Sequence, residues 1–169
     1  MRIAVIGYSG AGKSTLAKRL GERYSCPVLH FDRIGWTEGW VQRDKEEGKA
    51  LTARFLDEND AWIVDGNWGV FDNGRRFDEA DWIIFLDYPR RVCLKQALGR
   101  YRENKGKTRV DMAAGCNEKF DFEFFRWIMF KGRAKRPKQY YRRVREAHPD
   151  RFLAARSREE LDGILERLP

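Results

Sequence analysis

Histidine and cysteine are scarce in this chain, two and three residues among 169. Cys26, Cys93 and Cys116 lie far apart and follow no metal-ligand spacing, so they are read as reduced structural thiols of a reducing compartment. His30 falls inside a β-type run and reads as a core or supporting residue; His148 precedes Pro149 in a loop. Neither belongs to a metal-binding cluster. Long apolar runs are also missing. Nothing approaches the roughly 20 residues of a membrane helix, and the short run Ile3–Ile6 ahead of Gly7 cannot serve as the apolar core of a signal peptide. The expectation is a cytoplasmic chain with no membrane partner. With no internal repeat and no Pro- or Gly-rich linker, residues 1–169 are expected to form a single domain.

What is present is a core composition, 42% hydrophobic and 14% aromatic. The net charge of +8 is unevenly placed. Residues 90–145 hold 18 Lys/Arg against 5 Asp/Glu, a net of +13, while the flanking segments are slightly acidic. A block of that kind suits a polyanion, either a nucleotide triphosphate or a nucleic acid.

Short apolar runs at Ile3–Ile6, Val28–Phe31, Trp62–Val64, Trp82–Leu86 and Phe152–Ala154 predict five strands. The first four are nearly continuous, as in strands buried on both faces of a parallel sheet. Helical patterns at Lys13–Tyr24, Asp44–Glu58, Arg91–Arg102 and Ser157–Leu168 alternate with them, which predicts a doubly wound α/β fold. About sixty-five residues separate the fourth and fifth strands, far more than a crossover requires. That stretch is read as an insertion over one sheet edge. Within it Phe120, Phe124, Trp127 and Met129–Phe130 read as one buried helix face.

Gly7–Ser14 reads GYSGAGKS, the glycine-lysine-serine pattern that cradles phosphates. Glycines let backbone N–H groups close on phosphate oxygens, and the following helix aims its positive dipole end at the same anion. Gly7, Ser9, Gly10, Ala11, Gly12, Lys13, Ser14 and Thr15 are therefore the expected nucleotide-binding residues. Lys13 would reach the β- and γ-phosphates, and Ser14 would ligate Mg²⁺. No Asn/Thr-Lys-x-Asp guanine-reading motif follows, so the expected nucleotide is ATP.

Ligands of open parallel sheets sit at the carboxyl ends of the strands, where Asp32, Asp65 and Asp87 fall. Asp65 has the apolar lead-in of an acid that supports Mg²⁺. Asp32 stands where a kinase meets the acceptor hydroxyl and would orient it. Asp87 is read as a cap of the next helix. Trp36, Trp40 and Trp68 would line the pocket of a small-molecule acceptor. From the basic insertion, Arg100 and Arg102 are the expected phosphate contacts before the lid, and Arg133 and Arg136 the catalytic cations at its far hinge. The alternative partner for the same charge is nucleic acid, gripped by basic and aromatic residues together.

With these motifs in place the chain resembles the small P-loop kinases of the adenylate, shikimate and gluconate kinase type. GYSGAGKST, VLHFD, WIVDGNW, RVDMAAGCNEKFD and FLAARSREELD make it similar, over nearly its whole length, to proteins labelled DNA topology modulation or FlaR-related. The kinase resemblance implies a three-layer α/β/α fold with a parallel sheet in the order 2-3-1-4-5, ATP at Gly10–Thr15 and a lid at about 100–140. Adenylate kinases follow the third strand with Asp-Gly-Phe-Pro-Arg, whereas Asn67-Trp68 follows Asp65-Gly66 here. The arginine for a nucleoside monophosphate is missing at that point. No helix-turn-helix or topoisomerase tyrosine site accompanies the second resemblance.

Overall fold

The computed structural model describes residues 1–169, and the strand nearest the N-terminus lies at its centre. Strand β1 (Arg2–Gly7) is flanked by β5 (Trp62–Asp65) and β6 (Trp82–Leu86), with β2 (Val28–His30) and β7 (Phe152–Ala155) at the edges. All four pairings are parallel. Ile3, Ala4, Val5 and Ile6 are wholly buried, as a central strand covered on both faces requires. The expected five-stranded parallel sheet is present, and two further short strands lie outside it. A hairpin of β3 (Trp36–Thr37) and β4 (Val41–Gln42) lies apart from the main sheet, so the sheet order reads β2-β5-β1-β6-β7.

Right-handed crossovers set the layers. The chain moves from β1 outward to β2 through α1 (Lys13–Tyr24), then back across the sheet through every later connection. That places α1 and the last helix, α8 (Arg158–Arg167), on one face. Arg23 ties them by donating to the Leu165 and Leu168 carbonyls. Helices α3 (Lys45–Glu58), α4 (Arg75–Glu79) and α7 (Lys135–Ala147) lie in the layer on the other face. A short helix α2 (Phe31–Gly35) follows β2 directly, where the sequence suggested one more strand residue.

The long connection is more varied than the sequence implied. Helix α5 (Arg90–Asn104) starts at Pro89 without a side-chain cap. Asp87 does not cap it; its carboxylate instead faces Arg156 at 3.4 Å. Residues 105–121 carry no helix, and isolated bridges pair Lys105 with Glu118 and Thr108 with Asn117. Helix α6 (Phe122–Met129) follows, but the expected buried aromatic face is corrected. Only Ile128 is buried there, while Trp127 is 45% and Phe130 61% exposed. The reason is position: α6 packs against α5 and the short turn Lys131–Arg133, not against the sheet itself.

Candidate functional site at the phosphate loop

Between β1 and α1 the backbone turns through Gly10 (φ 80°) and Gly12 (φ 88°). A Cβ at Gly10 would stand 2.4 Å from the Cys93 carbonyl oxygen, so the loop is pressed directly onto α5. A Cβ at Gly12 would meet only Gln96 Oε1 at 3.7 Å, so that side of the loop is open. Gly12 caps α1 with no side-chain bond, and no acid lies in the first turn. The N–H groups of Lys13, Ser14 and Thr15 meet no acceptor in the protein. They form a row of unmatched donors at the positive end of a helix, the arrangement an anion completes. Gly10→Ala should therefore cost about 2–4 kcal/mol, from left-handed backbone strain plus overpacking against a fixed carbonyl. Urea denaturation checks this; an unchanged midpoint would mean the loop can shift away from α5.

Lys13 Nζ lies over the loop, 3.3 Å from the Tyr8 carbonyl to which it donates. Gly7 is fixed by Asn67, whose side-chain amide donates to the Gly7 carbonyl at 2.8 Å and accepts from its N–H at 3.3 Å. Ser9 Oγ accepts a hydrogen bond from Trp127 Nε1 at 3.0 Å, so α6 reaches the phosphate loop itself.

The carboxylates gather beside this loop. His30 and Asp65 are register partners on β2 and β5, and His30 Nδ1 meets Asp65 Oδ1 at 2.5 Å. Burial by itself would lower the His30 pKa. The hydrogen bond to Asp65 and the charges of Asp65, Asp111 and Asp32 outweigh it, and the imidazole is held above the ordinary histidine range. Such a group stabilises the fold fully below the unfolded value of about 6.5, and that contribution is lost as pH rises through the folded value. With chelator and no nucleotide, the urea midpoint of the wild type should fall relative to His30→Gln as pH increases across that window. Parallel pH profiles would show that the pair does not titrate.

Asp32 accepts from Trp68 Nε1 at 2.9 Å, which fixes one carboxylate oxygen and leaves the other available. Trp68 stacks on Phe71 with centroids 5.3 Å apart and meets Trp36 edge-on at 5.5 Å. Trp36 and Trp40 also pack against Met112, Ala113 and Cys116 of the long connection, and Cys116 Sγ donates to the Thr37 carbonyl. The connection thus spans the top of the sheet, from α5 to the hairpin.

The four arginines separate. Arg100 Nε donates to Glu118 Oε1 at 2.8 Å, and the same nearly buried carboxylate meets Arg109 at 2.7 Å. Arg102 and Arg136 are exposed and make no ion pair or hydrogen bond. Arg133 sits behind the loop, with its guanidinium 3.7 Å over the Tyr8 ring and a bond to the Tyr88 carbonyl at 2.5 Å. Ser14 is half-buried at the start of α1.

The structure of shikimate kinase from Bacteroides thetaiotaomicron superimposes with a TM-score of 0.56, covering 99% of this chain and 95% of that one at 20% identity. The chain has the P-loop kinase fold. Deoxyadenosine kinase from M. mycoides gives a TM-score of 0.54 over 99% and 98% of the two chains at 12% identity. Among curated proteins, the adenylate kinase of Bartonella tribocorum is 36% identical over 110 residues, 62% of this chain and 54% of that protein. That of Mycobacterium tuberculosis is 33% identical over 110 residues, 63% and 58% respectively. The chain thus spans little more than half the length of these relatives. No protein-family model matches it, and no helix is long and apolar enough to cross a membrane.

Several contacts of the site carried no signal in the sequence. Asn67 lies in WIVDGNW, Glu118 in RVDMAAGCNEKFD and Trp127 on the expected helix face, but each acts through a partner that its own motif does not disclose. His30 had a weak one: its place at the strand end beside Asp32.

Proposed function

We propose that the chain is an ATP-dependent phosphotransferase that moves the γ-phosphoryl group of ATP to a hydroxyl of a small ringed acceptor. The observation that carries this reading is the row of unmatched N–H donors at Lys13–Thr15, with Asp65 and Asp32 at the ends of neighbouring strands. Similarity to adenylate kinases over about three fifths of the chain supports it.

In this reading Gly7, Ser9, Gly10, Ala11, Gly12 and Thr15 wrap the phosphates with backbone and hydroxyl donors. Lys13 leaves the Tyr8 carbonyl for the β- and γ-oxygens. Ser14 Oγ and the buried Asp65 carboxylate are the oxygens suited to magnesium. No cluster of three or more protein acids, histidines or cysteines is present, which fits an ion held mostly by nucleotide and water. When bound, the metal offsets phosphate charge. Asp32, steadied by the Trp68 indole, orients the acceptor hydroxyl and takes up its proton as the bond forms. The loose transition state of phosphoryl transfer asks for little more than this positioning. The exposed Arg102 and Arg136 supply positive charge from the lid and its hinge, and Arg100 and Arg133 would join them only on leaving Glu118 and the Tyr88 carbonyl. Trp36, Trp40 and Trp68 suit a ringed acceptor, and the Asn67-Trp68 pair in place of Phe-Pro-Arg argues against a nucleoside monophosphate.

The test is ADP release from Mg·ATP with a panel of hydroxylated acceptors and with duplex DNA, using Lys13→Ala and Asp32→Ala as controls. Stimulation by one small compound, lost in both variants, is the expected result. Tight ATP binding without turnover under every condition would sink the reading. A second reading is an ATP-dependent nucleic-acid-binding regulator of the DNA topology modulation kind, favoured by the exposed Arg136, Arg142, Arg143 and Arg145 of α7. It requires DNA binding with a steep salt dependence.

A further inference from the structure

Behind the phosphate loop, on the face of the sheet covered by α7, lies a cavity of about 460 Å³. Its size falls in the usual range for small-molecule sites. None of the residues Gly10–Thr15 lines it. Tyr8 and Arg133 form its wall toward the loop, and the Tyr8 carbonyl on the far side is the one that holds Lys13.

The lining is strongly one-signed. Arg90, Arg133, Lys138, Arg142, Arg145 and Arg156 stand against a single carboxylate, Asp87. Asp87 is occupied by Arg156 at 3.4 Å, and Arg142 has the exposed Glu146 at 3.5 Å. Arg90, Arg133, Lys138 and Arg145 have no acidic partner within 4.0 Å. These cations come from separate parts of the chain: the start of α5, the turn before α7, α7 itself and the residue after β7. On α7, Lys138, Tyr141, Arg142 and Arg145 recur at the spacing of one helix face. Arg90 opens α5, whose first turn contains no acid to balance the helix dipole. Concentrating like charge on a concave surface is unfavourable until an anion enters.

The floor is aromatic. Phe85 and Tyr141 stack with centroids 4.4 Å apart, Tyr8 meets Tyr141 edge-on at 5.1 Å, and Phe152 lies 5.8 Å from Phe85. A ring against this floor, with phosphate reaching the cations at the rim, satisfies both halves of the lining. A nucleic-acid duplex fits worse, because the charges converge on a hollow from several elements and do not run as a continuous outer stripe.

We propose that this cavity is a second ligand site, separate from the phosphate loop, for a small phosphorylated ring compound of nucleotide type. The site does not depend on the chain being a kinase.

The experiment is calorimetric titration of ADP in magnesium-free, low-salt buffer into three proteins: wild type, Lys13→Ala, and Arg142→Glu/Arg145→Glu. Both arginines of the double variant are exposed, so its fold should be retained, and circular dichroism checks this. The expected result is two sites in the wild type. Charge reversal should weaken one by about tenfold or more, given the strength of hydrogen bonds to charged groups. Lys13→Ala should weaken the other and leave the cavity site intact. A single site in the wild type, or two sites both indifferent to the charge reversal, would overturn the proposal. So would a 20-bp duplex whose binding falls with the reversal while ADP occupies one site only. Absence of phosphotransfer to any acceptor would remove the kinase reading and leave the two-site result standing.

Discussion

Lys13→Ala is expected to slow ADP formation from Mg·ATP by about 10²–10³-fold, the usual effect of removing one preorganised charged donor from a transition state. The fold should be nearly unaffected. Lys13 is half-buried and its one bond is to the Tyr8 carbonyl at 3.3 Å, a contact that water can replace. The ammonium thus lies within the loop, beside the unmatched N–H groups of Lys13–Thr15. Thermal unfolding and ADP formation measured on the same preparation separate the two effects. A large drop in midpoint would mean that the lysine supports the loop; unchanged turnover would mean that the phosphates bind elsewhere.

Arg76→Leu should destabilise the protein by about 3–5 kcal/mol, the range for removing one partner of a buried ion pair. The Arg76 side chain is fully buried between the rings of Phe31 and Phe77, each centroid 4.4 Å from the guanidinium. It donates to Tyr140 Oη at 2.9 Å and lies 3.5 Å from the Asp72 carboxylate, which is itself fully buried. Leucine fills part of the volume but leaves that carboxylate with only the backbone N–H groups of Gly74 and Arg76. The loss should lower the melting temperature by roughly 10 °C. Because Phe31 immediately precedes Asp32, the damage should reach the Asp32–Trp68 pair as well. Denaturant unfolding decides the matter, and a change below about 1 kcal/mol would show that Asp72 finds water or another partner.

Arg76 also marks the limit of what the sequence discloses. The continuous apolar runs of β1, β5 and β6 and the GYSGAGKS loop are local signals, legible because a buried parallel strand and a phosphate cradle each constrain neighbouring residues. The acids at the strand ends follow from the topology those signals imply. An arginine in RRFDE looks like any solvated cation, since its burial depends on Phe31, Phe77 and Tyr140 converging from three elements. The same holds for α6. Its aromatic spacing is that of a core helix, yet its partners are α5 and the turn that follows it, and periodicity does not say which surface a helix meets. The hairpin was hidden for a different reason. Two-residue strands are too short to show alternation, and its hold comes from Met112 and Cys116, some seventy residues away.

The central place of β1 bears on how the protein is made. It leaves the ribosome well ahead of both its partners, as an apolar segment with both edges open, since its neighbours begin only at Trp62 and Trp82. At about 5–20 residues per second, roughly 3–12 s pass before β5 follows. Neither edge of β1 can be covered by a nearby hairpin in the meantime, because both of its pairings are parallel and long-range. Nascent chains that carry β1 but not yet β5 should therefore be the stage most dependent on chaperones, and completion of β6 the point at which that dependence falls.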